Sequence, residues 1–214
     1  MKQPSAISRQ PSALDGEHSA LSTQHSAGCN ERLRGPDVAC AALILLGVLI
    51  VGGPGISKGG LGWSDAPQHT FDGILILELF KQWPIHDLRA WAEQFYLKYP
   101  ALGILVYWPP GFAVVEAAIF AVFGVSIAAA RATVLLYAFA AGLLMFALGW
   151  RWFDRWTGLL AALLLITCAH GSLWMNDVML EWPATFWILW RFTPIRWTAT
   201  HGRHAGRSWP ALLL

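Results

Sequence analysis

Asp65, Arg131 and Glu181 are the side chains of this sequence whose chemistry belongs together. Each sits at or near one end of a long apolar run. Two carboxylates beside a guanidinium suit a substrate linked to a phosphate. One carboxylate can take the proton of an acceptor hydroxyl, or hold a divalent cation such as Mg, Mn or Zn; Asp65 is the candidate for both roles. The arginine can grip a phosphate through two parallel hydrogen bonds. Asp177, four residues before Glu181, competes for the second acidic place. His69 follows Asp65 by four residues, so on a helix the two share a face. Asp72 follows Asp65 by seven and shares that face in a supporting position.

The elements that must position these groups are apolar. The chain has 214 residues, 56% of them hydrophobic and 13% charged. A soluble globular domain is about a quarter charged, so the composition is that of a membrane protein. The net charge of +2 and the scattered arginines exclude a nucleic-acid partner. Cys29, Cys40 and Cys168 lack the spacing of a disulfide framework or a zinc site. Residues 1–37 differ from the rest, with "PSA" or "HSA" returning every seven residues at Pro4, Pro11, His18 and His25. Most of these heptads lack a second large apolar position, so they predict a disordered low-complexity tail rather than a coiled coil.

The first spanning candidate is Val38 to about Ile56. Arg32 and Arg34 precede it, which puts the N-terminus in the cytoplasm and Lys58 onward outside. From 57 to 125 the pattern is amphipathic and predicts helices lying on the outer membrane surface, with Asp65 as an N-cap and Pro67 in the first turn. The segment Pro109–Gly124 is short, opens on two prolines and carries Glu116 at its centre. A charge at mid-bilayer is costly, so this helix is expected to lie on the surface or re-enter. Ser126–Trp150 crosses inward, with Arg151 and Arg155 after it and Arg131 snorkelling near its outer end. Thr157–Met175 is expected to return as one helix, placing Asp177 and Glu181 outside. The run from Trp182 is short for a span. The expected fold is all-α: a polytopic membrane helix bundle with amphipathic surface helices in its first outer loop. The expected division is a tail over 1–37, a membrane domain over 38–192 and a basic irregular tail over 193–214.

Four motifs, in order, carry a resemblance. "SDAPQH" contains Asp65, "YWPPGFAVVEAAIFAVFG" opens on a Pro-Pro pair, "FGVSIAAAR" ends in Arg131, and "VMLEWPATFW" contains Glu181. From about Trp63 to Trp190 this order resembles the polyprenyl-phosphate-dependent GT-C glycosyltransferases of the 4-amino-arabinose transferase and protein O-mannosyltransferase type. The resemblance implies a helix bundle in a bacterial-type cytoplasmic (inner) membrane with its site facing outside. It implies transfer of a sugar from a polyprenyl-phosphate donor to a glycan, lipid or protein acceptor, with inversion at the anomeric carbon. Asp65 takes the part of the base or metal-proximal carboxylate. Arg131 and Glu181 are carried over as site-lining, substrate-binding candidates; His69, by its spacing from Asp65, and Asp177, as the competitor of Glu181, join them as substrate-binding candidates.

The sequence departs from that pattern in named places. Tyr107 and Trp108 stand where many relatives carry a lysine before Pro-Pro, so that lysine's contact to the donor phosphate has no counterpart, unless Lys98 serves. The family carries several further membrane helices, so the chain reads as the N-terminal part of such an enzyme, truncated or frameshifted, and as an inactive remnant in one variant of the reading. The alternative from another class is a polytopic transport or lipid-binding protein without catalysis. A transporter places charges or broken helices near mid-membrane, whereas this enzyme class places its acids at the outer surface.

Overall fold

The computed structural model describes residues 35–84, 86–100 and 109–201, with side chains as far as Thr193. The helices are α1 (Gly35–Gly52), α2 (Ala66–Gln82), α3 (Leu88–Lys98), α4 (Gly111–Phe123), α5 (Ile127–Trp152), α6 (Arg155–Thr167), α7 (Ala169–Trp174) and α8 (Glu181–His201). A single 3-10 turn, Gly53–Gly55, follows α1. No strand occurs among the described residues. The chain divides into two units, 1–39 and 40–214, and the described part of the first is residues 35–39. The low-complexity repeats, Arg32, Arg34, Tyr107, Trp108 and residues 202–214 lie outside the described residues.

Two helices are long and apolar enough to cross a membrane: Gly35–Gly55, 21 residues counting the 3-10 turn, and Ile127–Trp152, 26 residues. At 1.5 Å per residue these run about 31 and about 39 Å, against a hydrocarbon core of about 30 Å. In the second unit, Cys40, Ile44 and Val48 form one buried stripe on α1, while Leu45, Leu46, Leu49 and Ile50 are exposed. A helix apolar all round with one packed stripe suits a lipid-facing position.

Small residues set how closely the long helices approach. A Cβ placed on Gly149 of α5 would lie 2.5 Å from the Gly158 Cα of α6. Only glycine at both positions lets the α5–α6 hairpin close there. Gly142 gives similar room to Ile44 of α1, since a Cβ there would fall 2.8 Å from the Ile44 Cγ2. Ser126 caps α5 by accepting from the Ala129 N–H, and Asp154 caps α6 by accepting from Trp156 and Thr157.

The short amphipathic helices form where the sequence predicts them. α4 begins just past the two prolines and ends at Gly124, whose φ of 82° suits glycine. Its buried stripe is Phe112, Ala113, Glu116, Ala117 and Phe120, packed against His69, Asp72, Gly73 and Ile76 on the buried face of α2. α3 buries only Phe95 and is otherwise amphipathic.

Three expectations need correction. The single helix expected over 157–175 is broken at Cys168, whose backbone is extended with ψ 149°. The Cys168 Sγ accepts from the Gly171 N–H, and the Gly171 carbonyl accepts from the Trp182 indole at 3.1 Å. Those contacts fold α7 back, leaving α6 with 13 residues, about 20 Å and short of a full crossing. Arg131 does not snorkel outward but turns inward and is 4% exposed. The chain past Phe192, expected to be irregular, continues as helix α8 to His201.

Candidate functional site

Two of the residues singled out by sequence, Arg131 and Asp177, bond to the segment 55–65, which links α1 to α2. Arg131, in the second turn of α5, donates from Nη1 to the carbonyls of Gly55 (2.8 Å) and Lys58 (2.6 Å). Its Nη2 donates to the Gly60 carbonyl at 2.6 Å. Asp177, between α7 and α8, accepts at Oδ2 from the Gly62 and Trp63 N–H groups, both at 2.9 Å. Its Oδ1 accepts from Val178 at 2.9 Å. A buried cation therefore gathers the carbonyls of the segment and a buried anion its amides. Both charges are compensated by backbone dipoles, which removes most of the cost of burying them. The Asn176 side chain fills the space beside Gly55, where any Cβ would overlap it. The Trp63 ring rests on Trp174 with centroids 4.9 Å apart.

Asp65 follows directly. It occupies the N-cap position of α2, with Pro67 in the first turn, but its side chain makes no capping bond. Instead its Oδ1 accepts from the Ser64 hydroxyl at 3.0 Å. The carboxylate is half-exposed, so most of its acceptor capacity is open. His69 lies one turn on and is buried. Burial holds its imidazole below the ordinary histidine range, and the nearby Asp65 charge opposes that shift. Glu181 opens α8, half-buried, with Oε2 enclosed and without a hydrogen-bond partner. No hydrogen bond or ion pair joins Asp65 to Glu181 among the described residues.

Two carboxyls of α2 and α4 are more deeply enclosed. Asp72 is 3% exposed and Glu116 is fully buried. The Glu116 carboxyl lies against Gly73, where a Cβ would overlap it. Asp72 Oδ1 and both Glu116 carboxyl oxygens lack a hydrogen-bond partner. Burial pushes Asp72 up to about 7. Glu116 rises well above the usual carboxylate range, through burial first and the Asp72 charge second. From the sequence, Asp72 is expected in a supporting position, and Glu116 counts only as a cost to a membrane crossing. An acid at the centre of an apolar helix was the available signal.

An open cavity of about 450 Å³ lies between α2 and α3, lined among others by Glu78, Gln82, Trp91, Gln94, Lys98 and Tyr99. The Lys98 ammonium sits over its neighbour Tyr99, 5.2 Å from the ring centroid. Asp65 accepts from Ser64 and acts electrostatically on His69. Among the described residues no three His, Cys, Asp or Glu side chains gather as a cation would need. No protein-family model, curated protein or solved structure matches the chain.

Proposed function

We propose that the chain is a GT-C-type glycosyltransferase, or the N-terminal part of one, with its site on the extracytoplasmic face of the membrane. The carrying observation is the clamp on residues 55–63. Arg131, from a further motif of the resemblance, and Asp177, which directly precedes the motif that carries Glu181, both bond to the segment that delivers Asp65. A catalytic carboxylate must be held in place before substrate arrives, and a doubly anchored segment provides that.

In this reading the acceptor hydroxyl attacks the anomeric carbon from the face opposite the polyprenyl phosphate. The carbon–oxygen bond to the phosphate breaks, the lipid phosphate leaves, and Asp65 takes the hydroxyl proton. His69, kept neutral by burial, lies beside Asp65 and can share a hydrogen bond with substrate. Arg131 has Nη1 committed to backbone, so its part is chiefly to position the segment, with Nε and one Nη2 hydrogen left over. Glu181 contributes an enclosed, unpartnered oxygen at the start of α8. The partners are membrane lipid, the polyprenyl-phosphate-linked sugar and a glycan, lipid or protein acceptor. Arg151, at the end of α5, and Arg155, at the start of α6, support a cytoplasmic side for that end under the positive-inside rule.

The test is a sugar-transfer assay on the full chain in lipid vesicles with a polyprenyl-phosphate sugar, native against Asp65→Asn. The expected result is transfer by the native chain and a loss of about a hundredfold or more in the variant. Equal turnover by both removes Asp65 from catalysis. A second reading, a transport or lipid-binding protein, is favoured by the break between α6 and α7 at Cys168. Solute uptake without transfer in the same vesicles would select it.

A further inference from the structure

The seam between α2 and α4 is where the two enclosed carboxyls meet. α4 buries its stripe against α2, and Gly73 is the residue that lets the Glu116 side chain lie flat on the α2 backbone. Among the described residues, Asp72 Oδ1, Glu116 Oε1 and Glu116 Oε2 all lack a hydrogen-bond partner. An ionised carboxylate in that position would be uncompensated, at a cost no fold of marginal stability can carry. Two neighbouring carboxylates cannot both ionise in a shared low-dielectric site.

We propose that Asp72 and Glu116 hold at least one proton between them at neutral pH, and that this proton latches α2 to α4. With a proton present, the seam encloses at most one charge and closes. When both groups lose their protons, two like charges share the enclosed seam and it opens. The carboxyls form a pH-sensitive latch on the helix whose first turn carries Asp65 and His69. The proposal concerns the fold's response to pH and does not depend on the activity proposed above.

The surrounding charged groups leave this assignment intact. On α2, His69 precedes Asp72 by three residues and is kept neutral by burial. Asp65 acts electrostatically on His69. Glu116 is the only titratable residue of α4. α5 packs on α4 and brings Arg131, whose guanidinium goes to the carbonyls of residues 55–60, and Tyr137, whose hydroxyl donates to the Gly111 carbonyl at 3.3 Å. Neither the Arg131 guanidinium nor the Tyr137 hydroxyl hydrogen-bonds to Asp72 or Glu116.

Two measurements on the full chain in detergent or nanodiscs test the latch. Infrared difference spectroscopy at about pH 7 reads protonated carboxyls directly through their carbonyl band. The native chain is expected to show such a band, either single variant, Glu116→Gln or Asp72→Asn, to weaken it, and the double variant to lose it. A native spectrum with no protonated-carboxyl band overturns the proposal, and so does a band that survives undiminished in the double variant. The native-chain titration needs no variant, so it stands even where a variant fails to fold. The second measurement is hydrogen exchange of the α2 and α4 amides, corrected for intrinsic pH effects. Between about pH 6 and about pH 9, protection in the native chain is expected to fall about tenfold. In the Asp72→Asn, Glu116→Gln double variant it is expected to stay level. The same fall in both chains overturns the latch.

Discussion

Asp177 and Trp63 are joined by a 2.9 Å hydrogen bond from the Trp63 amide to the Asp177 carboxylate. The same oxygen takes the Gly62 amide. Replacing Asp177 with Ala leaves both amides without that acceptor and lets the segment before Asp65 drift. Transfer activity is expected to fall about tenfold, since a misplacement of about 1 Å at a reacting group is already costly. The tertiary packing of Trp63 on Trp174 is expected to loosen as well. Transfer rates and near-ultraviolet circular dichroism, measured on one preparation, check both effects. Unchanged spectra with unchanged transfer would show that the clamp is idle.

Arg131→Lys keeps the charge and loses the fork. One ammonium cannot reach the carbonyls of Gly55, Lys58 and Gly60 together in the geometry that the guanidinium holds. The 55–60 segment is expected to open more often, and trypsin to cut after the exposed Lys58 about tenfold faster, equivalent to roughly 1.4 kcal/mol. Timed digestion of native and variant chains in detergent reads this directly.

Gly158→Ala tests the α5–α6 hairpin. A Cβ at Gly158 would lie 2.5 Å from the Phe146 carbonyl oxygen and 2.6 Å from the Trp150 nitrogen. These are backbone atoms on a regular helix and cannot step aside. The two helices must separate, at a cost of about 1–3 kcal/mol. A lowered thermal midpoint in detergent is the expected outcome, with Gly124→Ala affecting only a helix cap where no neighbour intrudes.

The pH dependence of stability follows from Asp72. Its folded-state pKa is raised from 3.8 to about 7, so between those values the folded chain binds more protons than the unfolded one. Stability attributable to this group is whole at low pH and is lost as pH rises through that window. His69 works the other way. Its pKa is lowered from 6.5, so the folded chain resists protonation and stability is lost as pH falls below that value. Asp72→Asn should therefore flatten the decline of the thermal midpoint toward neutral pH, and His69→Gln should flatten the decline on the acid side.

Orientation is open to cysteine labelling. Gln94, exposed on α3, is expected to react with an impermeant reagent from outside, and Asp154, exposed at the α5–α6 turn, only after permeabilisation. The opposite pattern would invert the bundle.

Much of this was readable from the chain alone, and the failures have physical causes. The Pro-Pro pair and Gly124 bracket α4, and Ser126 marks the start of α5, because capping and breaking are local chemistry. Asp65 and His69 fall one turn apart for the same reason. The break at Cys168 was not readable, because it rests on the Trp182 indole reaching back to Gly171, a contact between segments. The partners of Arg131 are backbone carbonyls of a Gly-rich segment, and carbonyls carry no sequence signal. The joint enclosure of Asp72 and Glu116 depends on the packing of α2 on α4, which no periodicity within either helix specifies.

The clamp on residues 62 and 63 has a consequence for the order of events at the ribosome. Its acidic partner follows Gly62 by 115 residues and Trp63 by 114. At a synthesis rate of about 5–20 residues per second, the segment leading to Asp65 waits roughly 6–23 seconds before Asp177 exists to hold it. Until then the emerging α1 and α2 have at most the arginine anchor. The candidate site is thus completed late, after the α5–α6 hairpin has been made, and a chain arrested before residue 177 would leave the membrane with Asp65 present but its support unfinished.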